Sequence, residues 1–137
     1  MVPVAGEEVR PSAASDKFRR GIELFNHGEF FECHEVLEDV WRDERGERRL
    51  FLQSLIHLAV AFHHHQQGNQ HGTERQLQKG LKKLAAYLPE YEGVDTALLY
   101  REGMTFLGEL ANGATREHFP VITFAAPPAG LPQPDPR

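Results

Sequence analysis

From residue 50 to residue 62 the chain is apolar nearly all the way round a helix. Leu50, Phe51, Leu52, Leu55, Ile56, Leu58, Val60 and Phe62 cover most of the circumference at about 100° per residue. A helix without a wet face belongs in the middle of a bundle, so this segment constrains everything around it. The pattern predicts a central helix over 47–67, closed by Gly68-Asn69. One strip of that helix differs. Gln53, Ser54, His57, Ala61 and His64 fall within about 100° of each other and are all polar or small. Buried polar groups need partners, and the preceding helix, with His34 and Glu38, is the expected source.

The flanking segments read as shorter amphipathic helices. Phe18, Ile22 and Phe25 share one face of a first helix, capped by Ser15 or Asp16 and stopped by Gly28. A second helix covers about 30–43 and forms an antiparallel hairpin with the first. A fourth, over 73–88, carries Leu77, Leu81, Leu84 and Leu88 and ends at Pro89. A fifth, over 95–112, is capped by Asp95 and stopped by Gly113, with Leu98, Leu99, Phe106, Leu107 and Leu110 facing inward. No stretch alternates with period two, so no sheet is expected. Residues 1–14 are rich in Pro, Ala, Ser and charge and are expected to lack fixed structure. Residues 15–113 form the bundle. Residues 114–137 are an extended Pro-rich tail in which 121–124 can lie along the bundle. The expected fold is therefore all-α, a compact bundle of about five helices around the central one.

The second helix carries the chemistry. Phe30, Leu37 and Trp41 make its apolar arc, and His34 and Glu38 interrupt the inward side. His34-Glu35-Val36-Leu37-Glu38 has the form of the H-E-x-x-H zinc motif with glutamate in place of the second histidine. Residues four apart on a helix can share one metal, so His34 and Glu38 can be two ligands, with His64 or His57 as a third. Glu35 can then act as base on a bound water, which describes a metal-assisted hydrolase with a divalent cofactor. Two other readings stand beside this one. The cluster can be a hydrogen-bonded network that only fixes helix register, or the wall of an organic-ligand pocket. His63-His64-His65 is not one cluster, because consecutive helical residues point in three directions.

Composition sets the outer limits. The 137 residues suffice for one core, and a net charge of −5 gives no general pull toward nucleic acid or an anionic membrane. Arg42, Arg45, Arg48, Arg49 and then Lys79, Lys82, Lys83 cluster locally and read as solvated helix faces and ends. The lone Cys33 lies on an apolar face and excludes an intrachain disulfide. The first residues lack an apolar leader segment, and a cytoplasmic protein is expected.

Phe25-Asn26-x-Gly28-x-Phe30-Phe31-Glu32-x-His34-Glu35-x-Leu37-Glu38-x-x-Trp41, then Phe51-Leu52-Gln53-x-Leu55-Ile56-x-Leu58-Ala59, then His64 and Gly68-Asn69-x-x-Gly72, resemble the bacterial and archaeal domain of unknown function numbered 309. The resemblance covers about residues 16–88 and implies a small helical bundle of unassigned activity. It marks Glu32, His34, Glu35, Glu38, Trp41, His64 and Asn69 as motif positions. His57 stands where that pattern has glutamine and Thr73 where it has alanine, which makes His64 the stronger candidate ligand.

Two functional classes follow. The first is a small-ligand or metal site between the second and third helices, with His34, Glu38, Trp41, Gln53, His57, His64 and Asn69 as binding residues and Glu35 as the catalytic candidate. The second is a protein-interaction module. Gly28-x-Phe30-x-x-Cys33 has the spacing of a tetratricopeptide hairpin, although the next comparable glycine, Gly68, is 40 residues on. Either class is compatible with a homo-oligomer.

Overall fold

The computed structural model describes residues 13–113 and 118–125. Five α-helices follow one another: α1 (Ala13–Asn26), α2 (Phe30–Asp43), α3 (Arg48–Gln66), α4 (Gln70–Leu84) and α5 (Thr96–Ala111), with a 3₁₀ turn at Ala85–Tyr87. The fold is all-α. Among the described residues there are only isolated β-bridges, Tyr91 with Val94 and Val94 with Phe124. No described helix is long and apolar enough to cross a membrane. Residues 1–12, 114–117 and 126–137 lie outside the described residues, and with them most of the expected unstructured N-terminus and Pro-rich tail.

The apolar all-round segment is the centre, as its pattern requires. Phe51, Leu52, Leu55, Ile56, Leu58, Ala59, Ala61 and Phe62 of α3 are buried. α3 packs against both α2 and α4, while α1 lies on α2 and α5 on α4. The rings of Phe25, Phe30, Phe62, Phe106 and Phe119 meet at centroid separations of 5.0–5.9 Å, mostly edge-on or tilted, and tie together α1, α2, α3, α5 and the segment after α5. That segment does lie extended along the bundle. Ile122 is buried, and the Asn26 amide pairs with its backbone in both directions, at 2.9 and 2.7 Å.

Several boundaries differ from expectation. α1 already runs from Ala13, so Asp16 sits in its first turn rather than at a cap. α4 begins at Gln70, not at Thr73. Asn69 is its N-cap and accepts from the Gly72 N–H at 2.9 Å, so the expected Gly68–Gly72 loop is half a turn and half a helix. The α-helix ends at Leu84, which leaves Leu88 exposed and breaks the expected row of four leucines. Leu50 is 44% exposed although the periodicity placed it inward. Asp95 caps α5 as expected, accepting from the Leu98 N–H at 2.9 Å.

The turns after α1 and α3 are the same structure 40 residues apart. Gly28 and Gly68 sit at φ +79° and +77°. The N–H of Gly28 reaches the Phe25 carbonyl and that of Gly68 the His65 carbonyl. Glu29 N–H reaches Leu24 and Asn69 N–H reaches His64. Both are left-handed helix stops whose amides close over the last turn. Each is followed by a new helix with a small buried residue at the same place, Cys33 in one and Thr73 in the other. The bundle core is thus two like hairpins, α1–α2 and α3–α4, with α5 added.

The most extensive helix contact is α3 with α4. It is close because α4 presents glycine there. A Cβ on Gly80 would lie 2.9 Å from Leu58 Cδ2, 3.0 Å from the Ser54 carbonyl oxygen and 3.1 Å from His57 Cβ. Gly80→Ala should lower stability by about 1 kcal/mol, because overpacking against a backbone atom outweighs the gain in helix propensity. Gly108→Ala on α5, where the added Cβ would meet nothing within 4 Å, should raise it by about 0.5 kcal/mol or more. Urea midpoints that moved the same way in both variants would remove the close contact from the account.

Candidate functional site

The polar strip of α3 faces α4, not α2. His57 Nδ1–H donates to Gln76 Oε1 of α4 at 2.8 Å. Ser54, fully buried, turns its hydroxyl back to the Phe51 carbonyl at 2.6 Å. The His64 ring lies against the first turn of α4: a Cβ on Gly72 would be 2.9 Å from it, and Asn69 Nδ2–H approaches His64 Nδ1 at 3.4 Å. The expected partners, His34 and Glu38, are elsewhere. His34 Nε2–H donates to Glu38 Oε2 at 3.1 Å, within α2. Glu38 also faces Arg42, which pairs more closely with Asp39. The histidine of α3 on that side is His63, through Phe31, whose ring is 5.8 Å from His34 and 5.4 Å from His63.

The expected metal set therefore does not assemble. His34 and Glu38 are together, but His64 is engaged at the start of α4. Among the described residues no group of three or more His, Cys, Asp or Glu side chains is placed to hold a metal ion. Glu35 is exposed on the outer side of α2. Asn69 has a backbone task as the cap of α4. Trp41 is half-buried. Its indole N–H has no partner among the described residues, and Arg49 lies over its ring at 4.0 Å. Cys33 is buried, which pushes its thiol up to about 12 and makes it a packing residue rather than a nucleophile.

Two of the expected binding residues, Gln53 and His57, line a surface groove. It consists of two confluent hollows that share Leu50 and Ala86. One, of about 650 Å³, is lined by Leu50, His57, Lys79, Lys82, Lys83 and Ala86. The other, of about 520 Å³, is lined by Gly46, Glu47, Arg49, Leu50, Gln53, Ala86 and Tyr87. Glu47 is the one carboxylate among these residues, against Arg49 and three lysines. Outside the groove Arg42 pairs with Asp39, and Arg48 with Glu44 and Glu92, while Arg19, Arg45, Arg75 and Arg101 have no carboxylate partner among the described residues. Among the described residues Lys79, Lys82, Lys83 and Arg49 have no carboxylate partner. In the sequence they read as solvated charge. The signal that separates them is the shared face of Gln76, Lys79 and Lys83, at spacings of three and four on α4.

His57 sits at the seam. Burial disfavours its charged form and lowers its pKa below the ordinary 6.5. The bond to Gln76 opposes this, and the charges of Lys83 and Lys79 add to it. Its Nδ1 proton is committed to Gln76, so in the neutral ring Nε2 is the unprotonated nitrogen.

Residues 18–76 match the family model described as Domain of unknown function (DUF309). An uncharacterized protein of Bacillus subtilis (strain 168), YpuF, is 35% identical over 66 residues, which is 47% of this chain and 38% of that protein. The chain thus spans well under half the length of that relative. The segment that matches the family model, 18–76, runs from within α1 to the first half of α4. The matched segment holds Arg49, Gln53 and His57; the three lysines of the groove lie beyond it.

Two expectations follow from this geometry. The folded protein binds a proton at His57 less readily than the unfolded chain does, so this residue's stabilising contribution is complete above about pH 6.5 and is lost as the pH falls through its lowered folded value. Chemical denaturation across that window should show stability falling with acid, less steeply in His57→Gln; identical slopes would contradict the burial of this ring. The His34–Glu38 pair is 25% and 37% exposed, so His34→Ala should shift stability by no more than about 0.5 kcal/mol. A loss above about 1.5 kcal/mol would show a buried network that the geometry lacks.

Proposed function

We propose that this domain binds a small anionic ligand in the groove between α3 and α4. The observation that supports this reading is a set of four cations, Arg49, Lys79, Lys82 and Lys83, without acidic partners around a concave surface, in a chain whose net charge is −5. Positive charges concentrated against the overall sign of the molecule focus an attractive potential in one place. Exposed Leu50, with Ala86, supplies an apolar floor between the cationic walls. His57 adds a ring that gains a proton most easily when an anion is beside it, since the anion opposes the burial and lysine effects that depress it.

A second reading is a protein-interaction module, favoured by the duplicated hairpin. Two like helical pairs stacked side by side are the beginning of a repeat architecture, whose surfaces commonly serve partner proteins.

Phenyl phosphate, which carries one anionic head on an apolar ring, tests the first reading by calorimetry. Binding should weaken as salt is raised. It should fall at least about tenfold in the double charge reversal Lys79→Glu/Lys83→Glu, because two attractive charges become repulsive. Arg101→Glu, at an exposed position of α5 outside the groove lining, should leave it unchanged. Equal affinity in all three proteins, or none at low salt, would remove the groove as an anion site.

A further inference from the structure

Arg49 differs from the other cations of the groove in how it is held. Its Nη1 donates to two carbonyl oxygens at the end of α2, Trp41 at 3.0 Å and Glu44 at 2.8 Å. Its guanidinium lies over the Trp41 ring, 4.0 Å from the centroid. The Glu44 carboxylate, which could have neutralised it, is drawn to Arg48 at 3.2 Å and to the Gly46 N–H at 3.0 Å. Arg49 is thus anchored by neutral groups and keeps its full charge. Both Nη1 hydrogens are used. The Nε–H and Nη2–H edge, which has no partner among the described residues, is the planar fork that suits a carboxylate or phosphate. A guanidinium already fixed by stacking and two hydrogen bonds loses little further freedom on binding.

We propose that Arg49 is a second, directional anion anchor. The ligand then carries two separated acidic groups, one on the Arg49 fork and one among Lys79, Lys82 and Lys83, with its apolar middle on Leu50 and Ala86. This rests on the groove being the anion site. Three observations support two-point binding. Leu50 and Ala86 are shared by the two hollows, so one continuous ligand can occupy both. The Arg49 hollow also contains Glu47, so the general field there is weak and attraction depends on the directed fork. Arg49 and His57, which mark the two ends on α3, are eight positions apart, on the order of 12 Å of helix rise. An inorganic anion cannot span that length; a short α,ω-dianion can.

The probes are inorganic phosphate and the bisphosphates of ethanediol, hexanediol and decanediol, measured by calorimetry on the full chain. In the unaltered protein the hexanediol compound should bind at least about tenfold more tightly than phosphate and more tightly than its shorter homologue, because the second group binds at a high effective concentration. Arg49→Lys keeps the charge and removes the fork. It should reduce the bisphosphate advantage to about twofold or less while phosphate affinity, set by the lysines, changes little. An advantage that survives Arg49→Lys, or a bisphosphate no better than phosphate in the unaltered protein, overturns the two-anchor inference and leaves the groove as a single anion site. No binding of any probe overturns the groove itself. The chain-length series in the unaltered protein decides the matter even if Arg49→Lys is too unstable to measure.

Discussion

α3 and α4 approach each other through glycine. The Ser54 carbonyl, Leu58 and His57 stand so near Gly80 that any side chain there would have to displace backbone, and the His64 ring stands as near to Gly72. Two helices brought this close leave no room for an α4 side chain at those two positions. The α3 residues on that side are accordingly small or bonded close to home: Ser54 to its own helix, Ala61 with nothing to satisfy, His57 to Gln76 and His64 to Asn69. The groove is a consequence. Where the seam opens, Leu50, Gln53 and His57 of α3 stand opposite Lys79, Lys82, Lys83 and Ala86, and the exposed Leu50 becomes a floor instead of a core residue.

This explains which parts of the fold were legible in the amino-acid pattern. The all-round apolar face of α3, the row Phe18, Ile22, Phe25, the Asp95 cap and the glycine stops are local signals tied directly to burial or backbone geometry, and each keeps its meaning in the structure. The strip on α3 was also legible as polar and small. Its partner was not. Periodicity gives the direction of a strip relative to its own helix and carries no information about which neighbour lies there. The conspicuous His34 and Glu38 suggested α2; the glycines of α4, which look like mild helix weakeners in isolation, were the better guide, since a glycine inside a helix often marks a close approach.

The duplicated turn was legible only in its glycines, Gly28 and Gly68, 40 residues apart. Glu29-Phe30 and Asn69-Gln70 are chemically unlike, yet the backbone needs only a glycine that tolerates positive φ and the amides that follow it. Sequence comparison by side chain passes over such a repeat. Arg49 was missed similarly. Within a run of four nearby arginines it looks like solvated charge, and only the structure shows Arg42 and Arg48 neutralised by acids while Arg49 rests on carbonyls and an indole.

The claim that the α3 strip belongs to α4 underlies both the fold and the groove, and a double-mutant cycle between His57→Ala and Gln76→Ala measures it. The account predicts a coupling of about 0.5–1.5 kcal/mol for this pair, the usual range for one partly buried hydrogen bond, and additivity between His57→Ala and Glu38→Ala. Additive effects at His57 and Gln76, together with coupling between His57 and Glu38, would contradict it and return the strip to α2.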